Sequence, residues 1–330
     1  MKQNEISKRI NALAKKYSST GQDLQSYLDG LLYSEYVGYW NYIHLDTLLS
    51  LQNPKTDFPD EQIFILYHQI TELYFKLILI ELEQISYNGR NIVGTGQDLG
   101  WHKKLQLNLF IDKLKRINRY LCNLINSFDI MILGMEKEQF LKFRMALLPS
   151  SGFQSVQYRM IEFYSTDLVN LTNRLSTPSN LETSPDMLFP FLYWKVGAND
   201  LTTNKKTYTL KQFEKKYESH LISLANKMQH VNIWQKYRQL SKSDQENQDL
   251  IDCLRKFDEN INIRWCLAHY KSAVKYLKTS KKHIKATGGT NWQDYLPPKF
   301  QKIIFFPDLW SVEEKANWGK VWVNEHVNKT

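Results

Sequence analysis

The sequence predicts an all-α protein, and three observations indicate this class. The chain has 330 residues, 42% of them hydrophobic, so it can bury a sizeable core. Glycine and proline, which interrupt helices, are sparse at 13 and 9 residues. Long stretches repeat apolar side chains every three or four residues, and no region is rich in strand patterns. We therefore expect one helical domain over residues 1–330, with a loop-rich or helical insertion at about 174–240.

The helices can be placed in order along the chain. A first helix is predicted at 4–18, where apolar side chains recur on one face. Pro59 and the acidic pair Asp60 and Glu61 suit the first turn of a second helix. That helix continues to Ser86 and is apolar on more than one face, which is typical of a buried element. Further helices are predicted at 101–133, 136–147, about 153–173, 209–240 and about 248–280, before an irregular segment at 281–308 and a short closing helix.

Composition and charge argue against several classes of function. The net charge is +9, but no zinc finger, RNA-binding core or zipper accompanies the scattered lysines. We expect a solvated basic surface and no nucleic acid partner. The three cysteines form no CxxC pair, which favours a reducing compartment. The N-terminal segment is polar, and uninterrupted apolar runs are short, so we expect no secretory signal, no membrane span and a cytoplasmic protein.

Among eight histidines, His68 and His269 are unusual because each lies within a long apolar helical pattern. Neither belongs to an HExxH motif or a Cys/His cluster, which disfavours zinc. A core histidine bonded to a carbonyl is the ordinary explanation of either one. Two of them on separate helices also suit a haem, with a neutral imidazole on the iron and a polar group on the opposite face.

Other residues fit an aromatic ligand with a carboxylate. Phe64 precedes His68 by one helical turn, so both project from one face. Arg144 follows Phe140 by four residues and suits a carboxylate, which it can grip through two parallel bonds. A surface arginine lying along apolar neighbours is the alternative for Arg144. The glycine-rich stretch at 285–291 allows close backbone approach to a ligand, or is a simple turn.

Four blocks of the sequence combine these residues in longer motifs. They are YWNY with LDTLLSLQNP at 39–54, DEQIFILYHQITELYFK at 60–76, FRMALLPSSGFQSVQYRMIEF at 143–163, and WxxxH at Trp265 and His269 with TGG at 287–289. From about Tyr36 to Leu296 the blocks together resemble the tryptophan 2,3-dioxygenase family and follow its order. SGFQSxQYR and FIxxHQxxEL are specific patterns of that family.

The resemblance implies a haem-binding helical bundle that forms a homotetramer, a dimer of dimers. In that family ferrous haem b, O2 and L-tryptophan give N-formyl-L-kynurenine, a step of tryptophan catabolism in the kynurenine pathway. The implied roles are iron ligation by His269 with Trp265 beside the cofactor, a hydrogen bond from the indole N–H to His68, and packing of Phe64 on the indole. Substrate contacts from Arg144, Phe140, Gly152 and Thr287, and from Tyr39 and Tyr42 of a neighbouring subunit, complete the set.

The sequence departs from the family pattern near these residues. Phe140 stands where the family usually has a tyrosine, and Cys266 and Ala268 stand where it has arginines. Two other functions therefore remain open. One is a haem-dependent oxygenase or peroxygenase acting on another aromatic amino acid or indole derivative. The other is a non-catalytic haem-binding or sensor protein.

Overall fold

The computed structural model describes residues 2–35, 37–94, 96–173, 184–198, 205–277 and 302–320, and it is helical as predicted. The chain divides into two compact units, residues 1–53 and 54–330. Residues 205–240, in the second half of the predicted insertion, contribute to the main hydrophobic core of the second unit. Whether 174–240 is an insertion in a single domain stays a prediction.

The first unit consists of one long helix and three shorter ones, which bury little surface of their own. None of its described residues is fully buried. Asp23 starts the second helix by accepting hydrogen bonds from the backbone of Gln25 and Ser26, and the rings of Tyr17 and Tyr27 meet at 4.9 Å. The helices of this unit are α1 (Lys2–Ser19), α2 (Leu24–Tyr33), α3 (Tyr39–Tyr42) and α4 (Leu45–Leu49).

The second unit is built around helix α5 (Pro59–Ser86), which begins at the predicted proline. Pro59 needs no hydrogen-bond acceptor in the first turn, where the carboxylates of Asp60 and Glu61 also favour the exposed backbone N–H groups. Its buried face packs against two later helices, α6 (Leu107–Ser127) and α9 (Val156–Ser165). The three helices form the centre of the core.

Within the described part of the chain, α5 alone is long and apolar enough to cross a membrane, by length and composition only. The uninterrupted apolar runs within α5 are shorter than a membrane span, which is why the sequence alone predicted none. A core helix of a globular protein passes the same test, and α5 has one buried face against α6 and α9. Length and composition therefore do not assign α5 to a bilayer.

A small antiparallel hairpin follows α5 and was missed in the sequence. Its strands are β1 (Arg90–Ile92) and β2 (Asp98–Trp101). Asn88 and Gly89 turn the chain out of α5 with positive φ angles of 69° and 86°, which asparagine and glycine tolerate best. The helix predicted from residue 101 therefore begins only at Leu107.

The next helices are shorter than predicted. The apolar stripe of α6 ends at Ser127, and α7 (Asp129–Leu133) follows after Phe128. Helix α8 (Lys137–Phe143) changes to a 3₁₀ turn at Arg144–Leu147. Helix α9 ends at Ser165 because Thr166 is extended, and Thr166 donates a hydrogen bond to the Phe305 carbonyl. Two 3₁₀ turns flank α9, at Gly152–Gln154 and Leu168–Leu171.

The middle of the second unit supplies further short helices that cover the core. Trp194 and Trp234 are its largest fully buried side chains. Elements here are α10 (Pro185–Leu188), a 3₁₀ turn (Phe189–Phe191), α11 (Tyr193–Gly197), α12 (Tyr208–Met228), α13 (Ile233–Arg238) and α14 (Lys242–Gln245).

One long helical segment carries His269. Helix α15 (Gln248–Glu259) passes through a π-helical turn (Asn260–Arg264) into α16 (Trp265–Leu277). The buried carboxylate of Asp258 accepts hydrogen bonds from the backbone N–H groups of Phe305 and Phe306 and from the Trp310 indole. It thereby anchors the C-terminal residues, which include a 3₁₀ turn (Pro307–Leu309) and α17 (Val312–Ala316).

Candidate functional site

His68 and Phe64 lie together on one face of α5, as the sequence predicted. Their ring centroids are 4.1 Å apart, and His68 Nδ1 lies 2.7 Å from the Phe64 carbonyl oxygen. A carbonyl only accepts, so Nδ1 carries the proton and donates it. The other nitrogen, Nε2, is then an unprotonated acceptor.

The His68 side chain has two properties that are seldom combined. It is accessible to solvent, yet burial among surrounding protein atoms lowers its pKa below the ordinary value of a histidine. The ring is therefore open to a ligand, although the surrounding protein disfavours its charged form. Because the charged form is disfavoured there, His68 is neutral at pH 7 and its acceptor nitrogen is available.

His269 uses the same local hydrogen bond on helix α16. Its Nδ1 lies 3.1 Å from the carbonyl oxygen of Trp265, one turn earlier, so Nε2 is again the unprotonated nitrogen. The His269 ring is enclosed by the rings of Trp265 at 4.4 Å and Phe128 at 4.6 Å. Phe128, between α6 and α7, was not singled out in the sequence, because nothing local marks it.

Burial, with a smaller contribution from the charge of the nearby His68, lowers the pKa of His269 to about 4. The two histidines, from α5 and α16, are therefore close enough for the charge of one to act on the other. A neutral imidazole with Nδ1–H bonded to a carbonyl is the usual state of a histidine that ligates a metal through Nε2. The donor chemistry of His269 thus fits an iron ligand.

Phe140 of α8 lies in the same region, and Arg144 begins the turn that follows this helix. Phe64 lies 6.2 Å from Phe140 and 5.7 Å from Phe143, measured between ring centroids. Arg144 is only 5% exposed, which excludes the surface alternative, and burial lowers the pKa of its guanidinium. A buried guanidinium still carries its charge, so it favours an anionic group that enters its surroundings.

The remaining predicted site residues have different outcomes. Gly152 begins a 3₁₀ turn and borders open space, since a Cβ added there would meet no atom within 4 Å. Tyr39 and Tyr42 belong to the first unit and are 70% and 79% exposed within the chain. Thr287 lies outside the described residues, as does the glycine pair after it.

The positions that depart from the family pattern pack into the protein interior. Ala268 is 7% exposed, and burial raises the pKa of the Cys266 thiol to about 12. Neither side chain carries a charge at pH 7. The nearby Arg264 donates to the side-chain oxygen of Asn260 within the π-helical turn, at 2.8 Å.

A separate cavity of about 290 Å³ lies away from the two histidines. Its lining includes Asp167, whose carboxylate already accepts hydrogen bonds from Asn232, Gln235 and Arg238. The cavity therefore offers no carboxylate that lacks a partner. In the described part of the chain, no three His, Cys, Asp or Glu side chains are grouped as ligands for a bare metal ion.

Comparison with known proteins gives a consistent result. A family model described as tryptophan 2,3-dioxygenase matches residues 24–176, which include His68 and Arg144 but not His269. The chain is 28% identical over 290 residues to a tryptophan 2,3-dioxygenase of Bacillus anthracis, covering 86% of this chain and 94% of that protein. It is 26% identical over 286 residues to one of Pseudomonas fluorescens, covering 85% and 91%. With one of Ruegeria sp. (strain TM1040) it shares 37% over 131 residues, covering 40% and 42%.

Proposed function

Because the chain belongs to the tryptophan 2,3-dioxygenase family, we propose that it uses haem b and O2 to open the indole ring of L-tryptophan, giving N-formyl-L-kynurenine. The observation that carries this proposal is the pair of neutral histidines on α5 and α16, each with Nε2 as its unprotonated nitrogen. Such an enzyme would act in tryptophan catabolism through the kynurenine pathway.

His269 is the residue proposed to hold the haem iron. Its Nε2 lone pair is free of a proton, and the Trp265 carbonyl fixes the ring through Nδ1. Trp265 and Phe128 restrict the orientation of the imidazole from two sides. When bound, ferrous haem would supply the site at which O2 is activated for reaction with an indole.

His68 is the proposed partner of the substrate's indole N–H. Its Nε2 can accept a hydrogen bond because the Phe64 carbonyl holds the proton on Nδ1. Phe64, whose ring lies beside His68, offers an apolar surface for the indole. His68 therefore orients the aromatic end of the substrate.

Arg144 is the proposed partner of the substrate carboxylate. A guanidinium surrounded by protein gives a stronger and more directional contact to a carboxylate than an exposed one does. Phe140 would border the same end of the substrate, with Gly152 and Thr287 as further contacts. Fixing both ends of L-tryptophan places its ring against the cofactor, and positioning is the main contribution a protein makes to such a reaction.

We further propose that the chain forms a cytoplasmic homotetramer, a dimer of dimers, without membrane or nucleic acid partners. Tyr39 and Tyr42 would reach the site of a neighbouring subunit, and their exposure supports this. One face of α5 also exposes apolar side chains at spacings of three and four residues, which suits packing of helices from different subunits. This apolar stripe consists of Leu66, Ile70, Leu73, Leu77 and Ile80. Light scattering on the purified protein measures the subunit number.

Turnover of L-tryptophan tests the main proposal. The haem protein is reduced without oxygen, then mixed with O2 and L-tryptophan, and N-formyl-L-kynurenine is measured by its absorbance and mass. We expect this product, and none when L-tryptophan is omitted. Turnover only of another aromatic amino acid or indole derivative would favour the related oxygenase. Phe140, which stands where the family usually has a tyrosine, is the residue that suggests this alternative. A haem protein without turnover would favour the sensor, and a protein that binds no haem would contradict the proposal.

A further inference from the structure

The start of helix α8 is held by one side chain from each of the two histidine helices. Asp60 of α5 accepts a hydrogen bond from the backbone N–H of Glu136 at 2.6 Å. Tyr276 of α16 donates its hydroxyl to the backbone carbonyl of Met135 at 3.2 Å. The two hydrogen bonds therefore hold adjacent residues, Met135 and Glu136, one from each histidine helix.

The side chains that make these two hydrogen bonds, Asp60 and Tyr276, are both buried. Asp60 is 8% exposed and Tyr276 is 1% exposed. Burial raises the pKa of Tyr276 to about 12, with a further contribution from the nearby Asp60 charge. The Tyr276 hydroxyl therefore keeps its proton at pH 7 and remains a donor. A buried hydrogen bond cannot be replaced by water when it is lost, so each contact has a definite energetic value.

The positions of Asp60 and Tyr276 relate α8 to the histidines. Asp60 precedes His68 by about two turns of α5, and Tyr276 follows His269 by about two turns of α16. Both helices extend without a break between these residues. A shift of α8 against either helix would therefore stretch one of the two hydrogen bonds.

Helix α8 depends on such contacts because it is short. It spans seven residues, too few for a helix that is stable by itself. The Phe140 ring lies 4.5 Å from Tyr276, which places the middle of α8 against α16. Asp60 adds a second bond, from its own N–H to the side-chain oxygen of Gln139 at 3.3 Å. Arg144 begins the turn directly after α8, so the placement of α8 determines where its guanidinium lies.

We propose that Asp60 and Tyr276 are positioning residues that hold Arg144 at a fixed place relative to both histidines. This rests on the proposed function, in which Arg144 binds the carboxylate of the substrate. Neither residue touches the substrate in this scheme. They determine how well the site distinguishes an amino acid from the corresponding amine.

Equilibrium binding of two ligands to the haem protein tests the proposal. L-tryptophan carries the carboxylate and tryptamine lacks it, so the ratio of their affinities reports the contact with Arg144. We expect Tyr276→Phe to weaken binding of L-tryptophan roughly 3- to 10-fold, the size of one lost buried hydrogen bond. Binding of tryptamine should change less than about 2-fold, since α8 contributes no charge to it. Asp60→Ala should act in the same direction, and Asp60→Asn should retain part of the affinity through its remaining oxygen.

Tyr237→Phe is the matched control. Tyr237 also donates its hydroxyl to a backbone carbonyl, that of Gln245 at 3.0 Å, and it belongs to α13, outside the site. It should leave the ratio of affinities unchanged. In an Arg144→Ala background, Tyr276→Phe should have no further effect on the ratio, because the effect passes through Arg144.

The outcomes separate this proposal from the proposed function. If the wild-type protein binds L-tryptophan and tryptamine equally well, Arg144 is not the carboxylate partner, and the positioning role fails together with that part of the proposed function; turnover of L-tryptophan tests the reaction itself. The wild type is instead expected to prefer L-tryptophan over tryptamine. If Tyr276→Phe and Asp60→Ala then show the same ratio of affinities as the wild type, only the positioning role is overturned. Hydrogen exchange of the Glu136 amide, measured on each folded variant, supplies a second readout. Unchanged protection in Asp60→Ala would contradict the hydrogen bond on which the proposal depends.

Discussion

His68 and His269 have the same local chemistry and very different surroundings. Each holds its Nδ1 proton on the carbonyl of the residue one turn earlier, which leaves Nε2 as an acceptor. His269 is enclosed between Trp265 and Phe128, whereas His68 stays accessible beside Phe64. An enclosed imidazole suits permanent ligation of an iron, and an accessible one suits a substrate that enters and leaves. The difference lies in the neighbours and not in the histidine.

The helices that carry the two histidines also differ, because one is uninterrupted and the other follows an irregular turn. Helix α5 continues for 28 residues without interruption, so Phe64 and His68 are placed by ordinary helical spacing. His269 follows a π-helical turn, Asn260–Arg264, which rotates the start of α16 relative to α15. Such turns occur frequently at functional sites because they redirect a side chain without ending the helix. Asn260 and Asn118 support this one through a hydrogen bond of 3.0 Å between their side chains.

The largest effect is expected from His269→Ala. Because His269 is the proposed iron ligand, the variant should purify without the Soret absorption of haem and without activity. Haem content per chain, measured as the pyridine complex, checks this. Normal haem content with an unchanged spectrum would show that another residue ligates the iron.

His68→Ala should retain haem and lose turnover. Removing the acceptor leaves the indole N–H without a partner in the site, which costs roughly 10- to 100-fold in kcat/KM. A substrate methylated at the indole nitrogen has no N–H to donate, so with it the wild type and the variant should differ much less. Equal losses on both substrates would assign His68 a purely structural role.

The pH dependence of folding should distinguish the histidines from ordinary surface groups. His269 stays neutral in the fold to a pKa of about 4, whereas an unfolded chain takes up a proton near pH 6.5. Between these values the unfolded state binds more protons, so the free energy of unfolding falls as the pH decreases. For the haem-free protein we expect His269 to account for a loss of about 1–2 kcal/mol from pH 7 to pH 5.

Urea unfolding at the two pH values measures this loss, and His269→Gln should reduce it. Asp258 acts with the opposite sign, because burial raises its pKa to about 6. Its protonation in the fold favours the folded state as the pH falls through 6 toward the ordinary value of 3.8. A His269→Gln protein that loses as much stability as the wild type would show that His269 is not the group responsible.

The smallest effect is expected from Phe140→Tyr, which introduces the hydroxyl that the family usually has. A donor near Arg144 should lower KM for L-tryptophan roughly 2- to 10-fold. Phe143→Tyr is the control, since Phe143 is fully buried and its new hydroxyl would lack a partner. That control should lower the melting temperature and leave KM without improvement. A higher KM in Phe140→Tyr would indicate that the ring packs too tightly on Tyr276 to accept the added oxygen.

Much of the fold was readable from the sequence, because local rules determine it. The start of α5 at Pro59 and the all-α class follow from helix propensity and apolar spacing. The hairpin at 90–101 was missed, since two strands of three and four residues carry too short a pattern. The helix predicted to reach residue 173 ends at Ser165, where Thr166 bonds to Phe305, a contact distant in the sequence.

The sequence by itself determined the two histidines, their helices and which ring nitrogen of each carries the proton. A side chain four residues after a carbonyl on a helix lies within reach of it, so the tautomer is a local property. Only the tertiary structure decided which histidine is enclosed and where Arg144 stands. Phe128 reaches His269 across 141 residues of chain, and Asp60 holds Glu136 across 76. Hydrophobic burial has no preferred direction, so no local pattern states which distant residue fills a given position.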